Sequence, residues 1–417
     1  FINSLTLLLI FYFSKYPKKH NILHPKKLFL IFFGIVQVSG FFLISLIKFV
    51  DGSYKVKDDL LLRISFTTLL ALLCFLIFNF FIKKFDSYIF RTLKLPKLDS
   101  FIFKQLSVVF LSIGFLGLSI YFFKNGFTFF KEGGYENKNL NNIGVGYARI
   151  MYSYGFGFAL ISYLAVSYTK RKFVNSILLS LIIGVLIFII VGGGRSASLN
   201  LVVLSVIIAI YNNRIKLKKI IFLGVLFTVG IFFLTVLRYK LSLNANNISL
   251  FLYQFQGSFS PVDSFAKIYE TMPTVLNFKP ELFFNSFMTL IPRSIWTSKP
   301  IDIQVPSVFF TQEILNYPSF LTISPTLLGE LYIYNGYFGI IIGMFVCAIL
   351  VRVMTIIYLK AYRSLNMKVY YLLNVLFGFS LFREGISISL RNFFFFSIVF
   401  TFFAFFVEFV RLTTLKK

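Results

Sequence analysis

Acidic residues are scarce in this 417-residue chain: 15 Asp and Glu stand against 42 Lys and Arg, a formal charge of +27. Charged residues of both signs make up only 14%, where a soluble domain carries about a quarter. Histidine is nearly absent, and His20 and His24 share one short basic stretch. His-based chemistry or a His-ligated metal elsewhere in the chain is thereby excluded, and no paired carboxylates call for a metal or other cofactor. The two cysteines, Cys74 and Cys347, lie inside apolar runs and form neither a disulfide framework nor a metal site. No G-x-x-x-x-G-K-[ST] loop is present, which removes support for ATP-driven transport. Nor is there a polar stretch of about a hundred residues, the size of a typical domain, to hold a cytoplasmic nucleotide-sugar site.

What is abundant is apolar: 58% of residues are hydrophobic, with 59 Phe and 23 Tyr against one Trp. So basic a chain would ordinarily suggest nucleic acid. Its basic residues instead cluster between apolar runs near 28–48, 60–82, 101–123, 148–168, 174–191, 197–212, 220–236, 330–352, 369–382 and 388–409. Runs of about 20 residues match a bilayer core about 30 Å thick. Phe1–Phe13 reads as the end of a truncated first helix, the start of the chain being absent. The expected fold is an all-α polytopic membrane protein of about eleven transmembrane helices. Residues 1–236 and 324–417 form its membrane parts, and 237–323 one large loop.

Lys and Arg gather in cytoplasmic loops. If the segments alternate, one set of connections holds 24 of the 42 basic residues, diluted only by Asp86 and Asp99. That set places the C-terminal Lys416 and Lys417 inside and the large loop outside. Within the inner set Lys outnumbers Arg, 18 to 6. The other seven arginines (Arg63, Arg149, Arg195, Arg238, Arg293, Arg383 and Arg391) fall toward the outer side. Anchoring needs only charge, whereas Arg adds a planar fork that grips phosphate or carboxylate through two hydrogen bonds. The plainer reading is that individual arginines snorkel to headgroups.

Four outer stretches carry the chemistry. Gly192-Gly193-Gly194-Arg195-Ser196 permits a sharp turn with free N–H groups at a helix start, an anion site, or else a simple hairpin turn. The loop from about Arg238 to Thr322 is far longer than a plain connection. In it, Ser264–Thr271 suits a short amphipathic helix lying on the membrane. Ile291 to Pro300 contains Arg293, Trp296 and Lys299: a headgroup anchor, or a sugar-stacking ring between cations. Glu330 lies at or just below the outer surface, placed as a general base toward a hydroxyl or as the ion-pair partner of an outer arginine. Asp263 and Glu270 are the fallback carboxylates. Arg383-Glu384-Gly385 forms a tight turn, with Arg391 two helical turns beyond Arg383 on a similar face.

Taken in order, residues 192–196, 291–300, 328–339 (Leu-Gly-Glu-Leu-Tyr-Ile-Tyr-Asn-Gly-Tyr-Phe-Gly) and 382–385 (Phe-Arg-Glu-Gly) give the chain a family likeness. It resembles the Wzy-type oligosaccharide repeat-unit polymerases of O-antigen and capsule synthesis over about residues 100–400. Trp296-Thr297-Ser298-Lys299-Pro300 looks like the family's Trp-Pro-x-Lys-Pro, with Thr in place of the first Pro. The resemblance implies a GT-C-like membrane glycosyltransferase in the bacterial cytoplasmic membrane. It would transfer a glycan from undecaprenyl diphosphate to the next lipid-linked unit on the outer face. A flippase and a chain-length regulator would be its partners, and neither nucleic acid nor metal would take part. Arg195, Arg238, Arg293 and Lys299 would clamp the diphosphate, with Arg383 and Arg391 behind them. Glu330 would be the base, or an arginine-only mechanism would need none; Trp296 and Asp263 would contact substrate. The rival readings are an O-antigen ligase, which resembles this layout but uses an outer-loop His, and a lipid-linked oligosaccharide flippase.

Overall fold

The computed structural model describes the chain apart from residues 15–22, 51–55, 86–99, 131–144, 167–168, 192–194, 213–229, 231–251, 254–255, 258, 273, 275, 292–295, 301–302, 318–321, 363 and 415–417. Among the described residues there is no strand. The main helices are α1 (Ile2–Ser14), α2 (Pro25–Val50), α3 (Asp58–Ile82), α4 (Ser100–Asn125), α5 (Gly146–Val166), α6 (Lys170–Ile190) and α7 (Arg195–Tyr211). They continue with α8 (Val262–Thr271), α9 (Glu281–Met288), α10 (Pro306–Phe309, running on as a π turn), α11 (Thr326–Ala361), α12 (Leu365–Glu384) and α13 (Ile386–Thr414). Seven of these, α2, α3, α4, α6, α11, α12 and α13, contain stretches long and apolar enough to cross a membrane. Their outward faces remain greasy, with Phe80 67%, Ile398 67% and Phe409 66% exposed, as a lipid-facing surface requires. The apolar run at 220–236 lies almost wholly outside the described residues.

Local signals account for several helix ends. Pro25 opens α2, where its missing N–H costs nothing. Asp58 and Asp59 occupy the first turn of α3, the favourable end of the helix dipole for a carboxylate. The Thr169 hydroxyl caps α6 by accepting the Lys172 N–H at 3.2 Å.

The chain divides into two compact units. Unit 1 comprises Phe1–Lys94, Asn244–Ile356 and Phe377–Phe395. Its core stacks Phe29 on Phe75, ring centres 3.8 Å apart, with Phe382 edge-on at 4.8 Å. The described part of the long loop belongs to that same core: Val262, Phe265, Ile268, Leu282, Phe309 and Ile314 are all buried in it. Helix α8 thus forms where the sequence suggested one, but its apolar face packs into protein rather than onto a membrane.

Ser260 ties the loop to α2 in an unusual way. Its hydroxyl accepts the Gly40 N–H at 2.8 Å and donates to the Val36 carbonyl. It therefore stands between the two groups that an unbroken α-helix would join directly, and residues Gly34–Val38 widen into a π turn beside it. Gly40 makes this approach possible, because a Cβ there would overlap Ser260 and Val262. Ser260→Ala should cost on the order of 2 kcal/mol by leaving buried backbone groups unpaired. Thermal unfolding in detergent reads that loss; unchanged stability would mean that the ladder closes by itself.

Unit 2 comprises Leu95–Leu243, Ile357–Leu376 and Phe396–Lys417. Here Lys368 donates to the Ala165 carbonyl at 3.2 Å and to Asn212 Oδ1 at 3.1 Å, a cation placed at two helix C-termini.

Candidate functional site

The turn between α12 and α13 organises a polar cluster in unit 1. Gly385 adopts φ +106°, a left-handed conformation that only glycine enters easily. The space its missing side chain leaves is filled by Glu330: a Cβ at 385 would overlap Oε2 and stand 2.6 Å from Cδ. Glu330 is fully buried. Its Oε1 accepts the Ser387 backbone N–H at 3.1 Å and the Tyr334 hydroxyl, while Oε2 has no hydrogen-bond partner among the described residues. The carboxyl thus sits at the start of α13, where free N–H groups and the helix dipole favour negative charge. Ser286 of α9 donates to the Ser387 hydroxyl at 3.0 Å, and both serines are buried.

Glu330 reaches this position because α11 is two arms. The helix breaks at Asn335 (φ −165°, ψ 47°) and Gly336 (φ 54°, ψ −135°). Residues 331 and 343 would be about 18 Å apart along a straight helix. Instead, a Cβ on Gly339 would run into the Leu331 carbonyl oxygen, and one on Gly343 would stand 2.8 Å from Leu331 Cγ. Residues 326–334 therefore double back along 337–361, with Leu331 seated on two glycines spaced four apart, a pattern that lets helices approach closely. The Ile333 carbonyl, deprived of its helical donor, accepts the Lys279 N–H at 2.9 Å. The run expected at 330–352 is thus broken at Asn335 and Gly336 rather than one straight helix.

Around the elbow Tyr269 stacks on Tyr332 at 5.0 Å, and its hydroxyl pairs with that of Tyr337 at 2.5 Å. Burial, then that hydrogen bond, pushes the Tyr269 phenol above its ordinary range. Glu330 lies five residues before the break at Asn335, roughly 7.5 Å along the short arm from the elbow.

Cations flank the same turn. Arg391 donates from Nη1 to the Thr289 hydroxyl at 3.0 Å and from Nε and Nη2 to Asn392 Oδ1 at 3.3 Å each. Lys299 donates to the carbonyls of Thr289 at 3.2 Å and Ile291 at 2.8 Å. Two cations therefore share Thr289. Arg383 donates to the Gly257 carbonyl at 3.0 Å, and the Ser324 hydroxyl bonds the Arg383 carbonyl. Trp296 is half-buried, its indole N–H on the Ser298 hydroxyl at 3.0 Å.

The family model described as WzyE protein, O-antigen assembly polymerase, matches residues 2–412. The chain belongs to this family. No solved structure matches it. Membership makes the chain a polymerase of O-antigen assembly, a glycosyltransferase-like enzyme, in a multi-pass helical membrane protein. Among the described residues no group of three or more His, Cys, Asp or Glu is placed to hold a metal ion.

In this WzyE-family chain the expected site residues separate as follows. Glu330, Arg383, Arg391, Lys299 and Trp296 all belong to unit 1, and the first four attach to the α12–α13 turn or to α9 and the residues just after it. Arg391 does not share a helical face with Arg383, because Gly385 puts them on different helices. Asp263 is half-buried in the first turn of α8, and Glu270 is a surface residue paired with Lys267 at 3.2 Å. Arg63 pairs with Asp59 at 3.0 Å on an exposed face. Arg293 and Arg238 lie outside the described residues, as do Gly192, Gly193 and Gly194. Arg195 opens α7 in unit 2, and its side chain lies outside the description.

Glu330 makes no ion pair among the described residues; a hydroxyl and a backbone N–H hold it instead. Tyr334, Ser387, Ser286 and Thr289 were not anticipated. Tyr334 had a signal, being four residues after Glu330 and hence on the same helical face. Ser286 and Thr289 had none.

Proposed function

We propose that this chain joins lipid-diphosphate-linked oligosaccharide units on the outer face of the bacterial cytoplasmic membrane. The growing glycan leaves undecaprenyl diphosphate as its anomeric C–O bond breaks, and a hydroxyl at the non-reducing end of the next unit forms the new glycosidic bond. The hydroxyl proton passes to solvent or to the departing diphosphate, whose negative charge grows in the transition state. Fixed cations aimed at that charge stabilise the transition state more than the ground state. The observation that carries this reading is the pair Lys299 and Arg391 converging on Thr289 beside the Gly385 turn.

Arg383 stands behind that pair, Trp296 supplies a ring for a sugar face, and Asp263 bonds acceptor hydroxyls. Arg195, Arg238 and Arg293 add cations for the donor. The chain has about eleven spans in a GT-C-like arrangement, its C-terminus cytoplasmic, and a flippase and a chain-length regulator work beside it.

Vesicles carrying the purified chain and a lipid-linked repeat unit test the reading. The intact chain should build ladders of longer glycans, and Arg195→Ala or Arg293→Ala should lose them. Full activity in both variants would remove those two residues from the clamp. Movement of the lipid across the bilayer without lengthening would identify a flippase instead.

A further inference from the structure

We propose that Glu330 is a positioning residue, a pin that fastens the short arm of α11 to the start of α13 and so fixes the turn between Arg383 and Arg391. The inference rests on the polymerase reading for its activity measurements, and on geometry for the rest.

A general base must reach the hydroxyl it deprotonates. The Glu330 carboxyl is fully buried. Oε1 is already committed to the Ser387 N–H and the Tyr334 hydroxyl, and Oε2 lies against the Gly385 backbone where a Cβ would otherwise be. Each of these contacts is structural in kind. The Ser387 N–H is among the first of α13 and has no partner within its own helix. Glu330 supplies an acceptor from a different helix, so the cap is also a joint. Tyr334, one turn along the same arm, holds the carboxyl from its own side.

Two further bonds extend the joint. Ser286 of α9 reaches the Ser387 hydroxyl, and Ser324, just before the arm, bonds the carbonyl of Arg383. Arg383 lies two residues before Gly385, and Arg391 one and a half turns into the helix that Glu330 caps. Arg391 in turn bonds Thr289, three residues beyond Ser286. Moving the carboxyl therefore moves the helix start that aims Arg391.

Three variants separate pin from base. Glu330→Gln keeps the shape and one acceptor oxygen, so both donors remain satisfied. Its rate per folded molecule should stay within about fivefold of wild type, with the same pH profile and melting temperature. Glu330→Ala removes the acceptor. Gly385→Ala keeps the carboxylate but evicts it from its seat. These two should lower kcat per folded molecule by at least about 20-fold with a smaller change in KM, and lower the melting temperature by about 5 °C or more. A role in global stability alone would leave kcat per folded molecule unchanged.

A general base typically contributes about 10²- to 10⁴-fold. The pin is overturned if Glu330→Gln loses 100-fold or more at an unchanged melting temperature, or if Gly385→Ala polymerises and melts like wild type. Failure of Glu330→Gln to fold would overturn it too, because glutamine still offers the acceptor. If the wild-type chain builds no ladder, the polymerase reading fails, and the melting temperatures still test the joint alone.

Discussion

Gly339→Ala is expected to pry apart the two arms of α11 and abolish polymerisation. The added Cβ would meet the carbonyl oxygen of Leu331, a backbone atom that cannot swing aside as a flexible side-chain tip can. Overpacking a tight core costs about 1–3 kcal/mol even where side chains can yield. At a backbone contact the upper end, about 3 kcal/mol, is the expected loss. The disturbance would not stay local, since Leu331 adjoins Glu330 and the Lys279 N–H depends on the Ile333 carbonyl. Gly157→Ala is the matching control. The nearest heavy atom to a Cβ there is Leu204 Cδ2 at 4.0 Å. In a helix interior that change should be neutral or stabilise by up to about 1 kcal/mol. Melting curves of both variants in one detergent decide the matter: equal stabilities would mean that the arms do not pack as described.

The same glycines show how far the sequence could be read. Apolar length marked out the helices well, because a bilayer imposes one hydrophobic length on each crossing. The run expected at 60–82 is α3, Asp58–Ile82, and that at 388–409 lies within α13, Ile386–Thr414. What length could not show was a helix turning back on itself. The apolar run through Asn335 and Gly336 reads as continuous, and the dipeptide Asn-Gly is the one local turn signal in it. The spacing of Gly339 and Gly343 was equally visible, but nothing local said that Leu331 would fill the groove. Glu330 and Arg383 stood out because charge is rare in apolar surroundings. The groups that hold Ser387, Arg391 and Arg383 did not, since Ser286, Thr289 and Gly257 lie 101, 102 and 126 residues from them in an aromatic loop whose fold depends on long-range packing. Residue type named the charges, and tertiary contact chose their partners.

The second large effect should come from Arg391. Arg391→Ala removes a cation within a candidate membrane span, where water cannot substitute readily. If its charge stabilises the departing diphosphate, the loss should be about 10²- to 10³-fold in kcat, the cost typical of deleting one preorganised group at a developing charge. KM should change much less, because the charge grows in the transition state. Lys299→Ala should behave similarly, and the double variant should lose less than the product of the two, since both cations attach to Thr289. Arg391→Lys should recover little, because one ammonium cannot reproduce a fork that holds both Thr289 and Asn392. Arg63→Ala is the control: its partner Asp59 is exposed, and the rate should not change. Rates of ladder extension against donor concentration separate the outcomes. A rise in KM at constant kcat would recast Arg391 as a ground-state anchor for the lipid diphosphate. An unchanged kcat/KM would remove it from the site.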